Sequence, residues 1–249
     1  MRQFVTLLPV WLLLGGCYVA PGTPTPVRYR QMAEPTGGGA YYIYVPSYYS
    51  ADRDWPLVVT LHGTNPWDDY DRQIREWDSL AEAKGFIVVA PKLQSPQGVL
   101  PNIRSRWFRH LAEDERRILA LIDHVSGDYR VDPRAILLTG FSAGGYPMYH
   151  TGLRNPQRFS MLVARNCNSD LELFERIALT EAARKLPVRI YWGKADPEPI
   201  QDESWQAFRY LRNHGCVRTY RREIKGGHIR RPEMAYELWR EVLPARHGQ

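Results

Sequence analysis

The segment Gly140-Phe141-Ser142-Ala143-Gly144 constrains this chain more than any other. The apolar run Ala135-Ile136-Leu137-Leu138-Thr139 precedes it and reads as a buried strand. Gly145 to Arg154 follows and reads as a helix. A strand, a sharp Gly-flanked turn carrying a serine, then a helix is the context of a nucleophile elbow. The glycines permit the tight turn and keep side chains away from the serine. The hydroxyl then stands at the end of a sheet, over helix N–H groups that favour negative charge. A serine in an ordinary Gly-rich turn gives the same short pattern, so the rest of the chain must supply its partners.

A nucleophilic serine needs a base, and the base needs an orienting group. In this strand–turn–helix context they follow in the order Ser, Asp or Glu, His. Val188 to Gly193 reads as another buried strand, and Lys194-Ala195-Asp196-Pro197 puts a carboxylate on the loop at its end. A helix over about Asp202 to Asn213 comes next, then a strand from Val217 to Ile224, which runs into Lys225-Gly226-Gly227-His228. The roles that follow are Ser142 as nucleophile, His228 as general base and then acid, and Asp196 as the group that orients the imidazolium. Asp170 is the main rival acid, with Glu198 and Asp202 behind it. His110, His124 and His150 fall on or beside expected helices, His214 near a helix end, and His247 in the C-terminal tail.

An oxyanion needs donors as well. The Ala143 N–H, next after the nucleophile, is one. The second is expected on the loop His62-Gly63-Thr64-Asn65, after the strand Pro56 to Leu61, with the Thr64 N–H as the donor. Gly63 allows the backbone angles of such a hole, and His62 is expected to brace the loop from behind.

His62-Gly63-Thr64, Val131-Asp132-Pro133-Arg134, Gly140 to Gly145, Gly193-Lys194-Ala195-Asp196 and Gly226-Gly227-His228 occur in family order. Over residues 40 to 243 the chain resembles the α/β-hydrolase superfamily. Within it, the chain resembles the esterases that include polyhydroxyalkanoate depolymerases and feruloyl or acetylxylan esterases. The resemblance implies an α/β-hydrolase fold: a mostly parallel, twisted sheet with helices on both faces. It also implies a serine esterase that cleaves small or polymeric carboxylic esters through an acyl-enzyme. The depolymerase pattern has Cys where Thr64 stands and often Trp where Ile229 stands. A peptidase or acyltransferase using the same residues is a second reading, and a non-catalytic envelope lipoprotein on the same fold is a third.

The element order agrees with that fold. Strands at Tyr41 to Val45, 56–61 and 86–90 alternate with helices near 69–84 and 111–126, the pattern of a parallel sheet covered on both faces. Pro147, early in the helix after Ser142, is a position where a helix can kink.

The N-terminus reads separately from the fold. Met1-Arg2 is basic, and Phe4 to Leu14 is apolar but short for a membrane span. Small residues and Cys17 follow, so residues 1–16 read as an export signal. Leu14-Gly15-Gly16-Cys17 resembles a bacterial lipoprotein box, which implies cleavage before Cys17 and lipid on its thiol. The alternative is an unlipidated signal cut near Ala20 and a secreted product. Residues 17–39, with Pro21 to Pro26 and Gly37-Gly38-Gly39, read as a tether from the membrane to a domain at 40–249.

Cys167 and Cys216 are expected near opposite ends of a parallel sheet, beyond disulfide reach. They lack metal-ligand spacing, and nothing in the sequence calls for a metal or organic cofactor. The formal net charge is +6. With no recognition motif beside it, the charge points to a solvated face or an anionic surface rather than nucleic acid. Trp67, Trp107 and Phe108 lie on expected loops, as pocket lining or packing.

Overall fold

The computed structural model describes residues 29–33, 38–96 and 104–243, with side chains given from residue 110 onward in the last stretch. Residues 1–16, read from the sequence as an export signal, and Cys17 lie outside the described residues. Eight strands form one sheet in the order β1-β2-β4-β3-β5-β6-β7-β8. The strands are β1 (Arg30–Ala33), β2 (Ala40–Tyr44), β3 (Trp55–Leu61), β4 (Ile87–Pro91), β5 (Val131–Phe141), β6 (Met161–Arg165), β7 (Val188–Gly193) and β8 (Thr219–Ile224). β1 and β2 join antiparallel, β2 runs antiparallel to β4, and every pairing from β4 to β8 is parallel.

Both faces of the central strands are covered, which is why these strands read as largely apolar runs. Leu57, Val59 and Leu61 of β3, with Ile136 and Leu138 of β5, pack in one core. That core takes Ile118 and Leu121 from α2 (Arg104–Asp128), Met148 and Leu153 from α3 (Gly145–Arg154), and Ala207 and Leu211 from α6 (Glu198–Asn213). Val58, Leu137 and Val163 turn to the other face. There they meet Ile74 and Trp77 of α1 (Tyr70–Lys84) and Tyr236 and Trp239 of α7 (Pro232–Arg240). This is the mixed α/β architecture expected from the sequence.

The strand order reverses at β3, which pairs with β4 on one side and β5 on the other. Helices leave in opposite directions at such a point and open a crevice beyond the carboxyl ends of the strands, the general ligand position of open α/β sheets. His62-Gly63-Thr64 follows β3, and Ser142 follows β5.

Several elements differ from the sequence reading. Arg30–Ala33, assigned to the tether, pairs as β1 along β2, from Arg30 with Ile43 to Ala33 with Ala40. α2 spans 104–128 instead of 111–126. β5 starts at Val131, with a register irregularity opposite Trp55 and Leu57, so Asp132-Pro133-Arg134 enters the strand. α7 and the short helices α4 (Leu171–Glu175) and α5 (Glu181–Lys185) are additional. α3 runs unbroken from Gly145 through Pro147. Pro147 lies in its first turn, where a backbone N–H has no intrahelical acceptor to lose. Among the described residues, no helix is long and apolar enough to cross a membrane.

Candidate active site

Ser142 opens a 3₁₀ turn, Ser142–Gly144, that leads directly into α3. Its φ is +53°, a left-handed angle that costs a non-glycine residue energy. The Asn168 N–H donates to the Ser142 carbonyl at 2.9 Å and helps hold the turn. Among the described residues, the non-glycine positive-φ positions are Ser142, Asn166 and Arg231. All three flank the same end of the sheet, and strained backbone of this kind gathers at functional sites.

Asp196 lies just past β7 and is buried. His228 Nδ1 stands 2.7 Å from Asp196 Oδ1. The Gly193 N–H and the Asn166 amide donate to the other oxygen, Oδ2, both at 2.5 Å. The loops carrying the two residues are joined: the Ala195 N–H donates to the Gly226 carbonyl at 2.9 Å. They meet because Gly193 has no side chain; a Cβ there would come within 2.3 Å of the Gly226 carbonyl oxygen. The His228 ring packs on Phe141, beside Ser142, with ring centres 4.7 Å apart. Among the described residues, no hydrogen bond joins the Ser142 hydroxyl to His228.

The loop after β3 folds over the serine. A Cβ on Gly63 would lie 2.9 Å from Ser142 Cβ. The Gly63 N–H donates to Asp68 Oδ2 at 2.7 Å, which commits that donor to the loop itself. His62 is buried, and its Nδ1 is 2.8 Å from the Gly63 carbonyl. Its Nε2 accepts from the Leu93 N–H at 3.0 Å. A ring nitrogen that faces a carbonyl must carry the proton, and one that faces an N–H must not, so the partners fix one neutral tautomer. Burial lowers the His62 pKa and supports that form.

A model of the Esterase family matches residues 39–215, more than half of the chain. The chain belongs to the Esterase family. A curated relative is the bifunctional acetylxylan esterase/xylanase XynS20E of Neocallimastix patriciarum, 30% identical over 117 residues. The match covers 47% of this chain and 16% of that protein, so the chain spans a small part of the relative's length. Among solved structures, the ferulic acid esterase AmCE1/Fae1A of Anaeromyces mucronatus has a TM-score of 0.65 at 14% identity. That likeness covers 86% of this chain and 88% of the other. Esterase PE8 has a TM-score of 0.62 at 22% identity, covering 81% of this chain and 97% of the other. These likenesses establish the α/β-hydrolase fold.

In this Esterase-family chain Asp170 and several of the other histidines have partners elsewhere. Asp170 caps α4, accepting from the Glu172 N–H at 2.9 Å. His150 is 3.0 Å from Glu115, and His214 bonds the Tyr210 carbonyl. His110 and His124 lie near Glu113 and Asp128 on the surface of α2. Trp67 is 61% exposed, while the side chains of Trp107 and Phe108 are outside the described set. Cys167 and Cys216 are buried free thiols. Burial pushes the Cys167 thiol up to about 12.

A polar network beneath the site has no signature in the sequence. Arg165, at the end of β6, is fully buried and pairs with Glu76 of α1. It also donates to Thr139 Oγ1 at 3.0 Å and Thr60 Oγ1 at 2.8 Å. Arg230, two residues past His228, reaches Asp68 at 3.1 Å and Glu76 at 3.6 Å. Burial raises the Glu76 carboxyl, and Arg165 opposes that shift. Asp68 therefore ties the Gly63 loop to the His228 loop through Arg230. Each of these residues is unremarkable in its own stretch of sequence, and only the fold brings them together.

Proposed function

We propose that this chain is a serine esterase in which Ser142, His228 and Asp196 act as one catalytic unit. The observation that carries the reading is the 2.7 Å contact between His228 Nδ1 and Asp196 Oδ1, with the imidazole seated beside the strained Ser142 turn. Family membership supports ester hydrolysis. Ser142 Oγ attacks the ester carbonyl carbon while His228 Nε2 takes the hydroxyl proton. Asp196 stabilises the imidazolium that forms. Negative charge on the former carbonyl oxygen is met by the N–H groups of Ala143 and Thr64. The Gly63 N–H is bound to Asp68, so Thr64 is the next donor along the loop. His228 returns its proton to the leaving alcohol oxygen, and the ester C–O bond breaks. Water then attacks the acyl-serine, with His228 as base, and releases the acid.

The substrate is a carboxylic ester. The names of the relatives direct the first substrate panel to acetylated xylan and ferulate esters. The decisive test is fluorophosphonate labelling of the folded domain, wild type beside Ser142→Ala. The expected result is a stoichiometric adduct that the substitution abolishes. A folded wild type that takes no label, or a label that survives the substitution, overturns the assignment.

A further inference from the structure

We propose that Asn166 is a positioning residue that holds the Asp196 carboxylate and the His228 loop in register. The inference rests on the catalytic unit proposed above. Asn166 immediately follows β6 and is fully buried. Its N–H donates to the Tyr191 carbonyl of β7 at 2.8 Å, which anchors the residue to the sheet. Its side-chain amide donates twice, to Asp196 Oδ2 at 2.5 Å and to the Gly227 carbonyl at 3.2 Å. One side chain thus grips the acid and the residue before the histidine.

The consequence for Asp196 follows from its two oxygens. Oδ2 receives the Asn166 amide and the Gly193 N–H, which leaves Oδ1 for His228 Nδ1. A carboxylate held this way does not rotate when the imidazolium forms. Keeping the orienting group fixed sets both the tautomer and the direction of the base.

The position carries two costs. Asn166 has φ +52°, and its Oδ1 is buried with no hydrogen-bond partner. The fold alone gives no reason to keep both. Glycine adopts the angle without strain but has no donor. Aspartate tolerates the angle but brings a second charge against Asp196. Asparagine tolerates the left-handed region and supplies two uncharged N–H donors.

The test compares wild type, N166G and N166D for p-nitrophenyl acetate hydrolysis across pH, with a melting curve for each. Fluorophosphonate labelling of the wild type is done first. N166G is expected to lose roughly 10- to 100-fold in kcat with little change in KM, taking as a guide the scale for outer-shell partners of metal-ligating histidines. N166D sets two carboxyl groups at hydrogen-bond distance, where they share one proton. While that proton is present, the introduced carboxyl donates to Asp196 as the amide did. When it leaves at higher pH, the two anions repel. N166D is therefore expected to show a bell-shaped profile where the wild type reaches a plateau. A merely structural residue would scale the profile without changing its shape.

Wild-type kcat in N166G, or an N166D profile parallel to the wild type, overturns the proposal. Failure of both variants to melt cooperatively assigns Asn166 to the fold and overturns it as well. A labelled wild type with unaffected variants sinks this inference alone. An unlabelled, folded wild type sinks the catalytic unit, and this inference with it.

Discussion

Gly63→Ala tests how closely the loop after β3 must approach the serine. The added methyl would lie 2.9 Å from Ser142 Cβ, 3.2 Å from the Phe141 carbonyl oxygen and 3.4 Å from Asp68 Oδ2. Carbon atoms pack at about 3.5–4.0 Å, so the closest contact must open by roughly 0.6 Å or more. The two nearest atoms belong to the strained Ser142 turn and the backbone before it. They cannot swing away as the tip of a long side chain would, so the loop itself must move and carry the Thr64 N–H away from the place proposed for the oxyanion. A misplacement approaching 1 Å in reacting geometry costs on the order of 100-fold, or about 2.7 kcal/mol in the barrier. Overpacking of this kind costs about 1–3 kcal/mol of stability. The expected outcome is therefore a folded protein with kcat/KM for p-nitrophenyl acetate reduced about 100-fold. Gly127→Ala in α2 is the control, because a Cβ there meets nothing within 4 Å. Alanine in place of a helical glycine should leave activity unchanged and stabilise slightly. A Gly63→Ala enzyme with near-wild-type kcat/KM and an unchanged melting temperature would refute the close-approach argument.

Three more outcomes follow from the same geometry. Asp196→Asn should lower kcat by several orders of magnitude, as expected when the base loses its orienting anion, while Asp170→Ala should only weaken the α4 cap; steady-state rates on both variants reveal a wrong assignment if the pattern reverses. Burial lowers the His62 pKa, so the unfolded chain takes up a proton below its ordinary value near 6.5 while the folded chain resists it. Stability is then present above that pH and declines as pH falls through the window, by at most about 1.4 kcal/mol per pH unit for one proton. His150 shifts the same way through burial; denaturant unfolding from pH 7 to 5 should show a shallower slope in His62→Asn, and an unchanged slope removes His62 from the account. If Cys17 carries lipid, cells fed labelled palmitate should label the wild type and not Cys17→Ser, and equal incorporation in both would rule the anchor out.

The sequence by itself determined the architecture and the order of the chemical groups. Runs at 57–61, 86–90 and 135–139, apolar except for Thr60 and Thr139, point to strands buried on both faces, with amphipathic stretches between them to cover those faces. The turn at Ser142, the carboxylate after β7 and the Gly-Gly-His loop after β8 were legible because glycines and loop positions mark strand ends locally. Weak or short signals were not legible. β1 is four exposed residues whose pairing depends on β2. The extension of β5 through Pro133 depends on an irregular register with β3. The choice between Asp196 and Asp170 as partner of His228 also lay beyond the sequence, since both follow strands and both sit before helices. Tertiary structure placed one against the imidazole and the other on a helix cap. It also brought together Asp68, Glu76, the adjacent pair Arg165 and Asn166, and Arg230 from four stretches of the chain. Hydrophobic periodicity is a local property of the chain, whereas hydrogen bonds between residues 30 to 162 positions apart exist only after the sheet has brought its strand ends together.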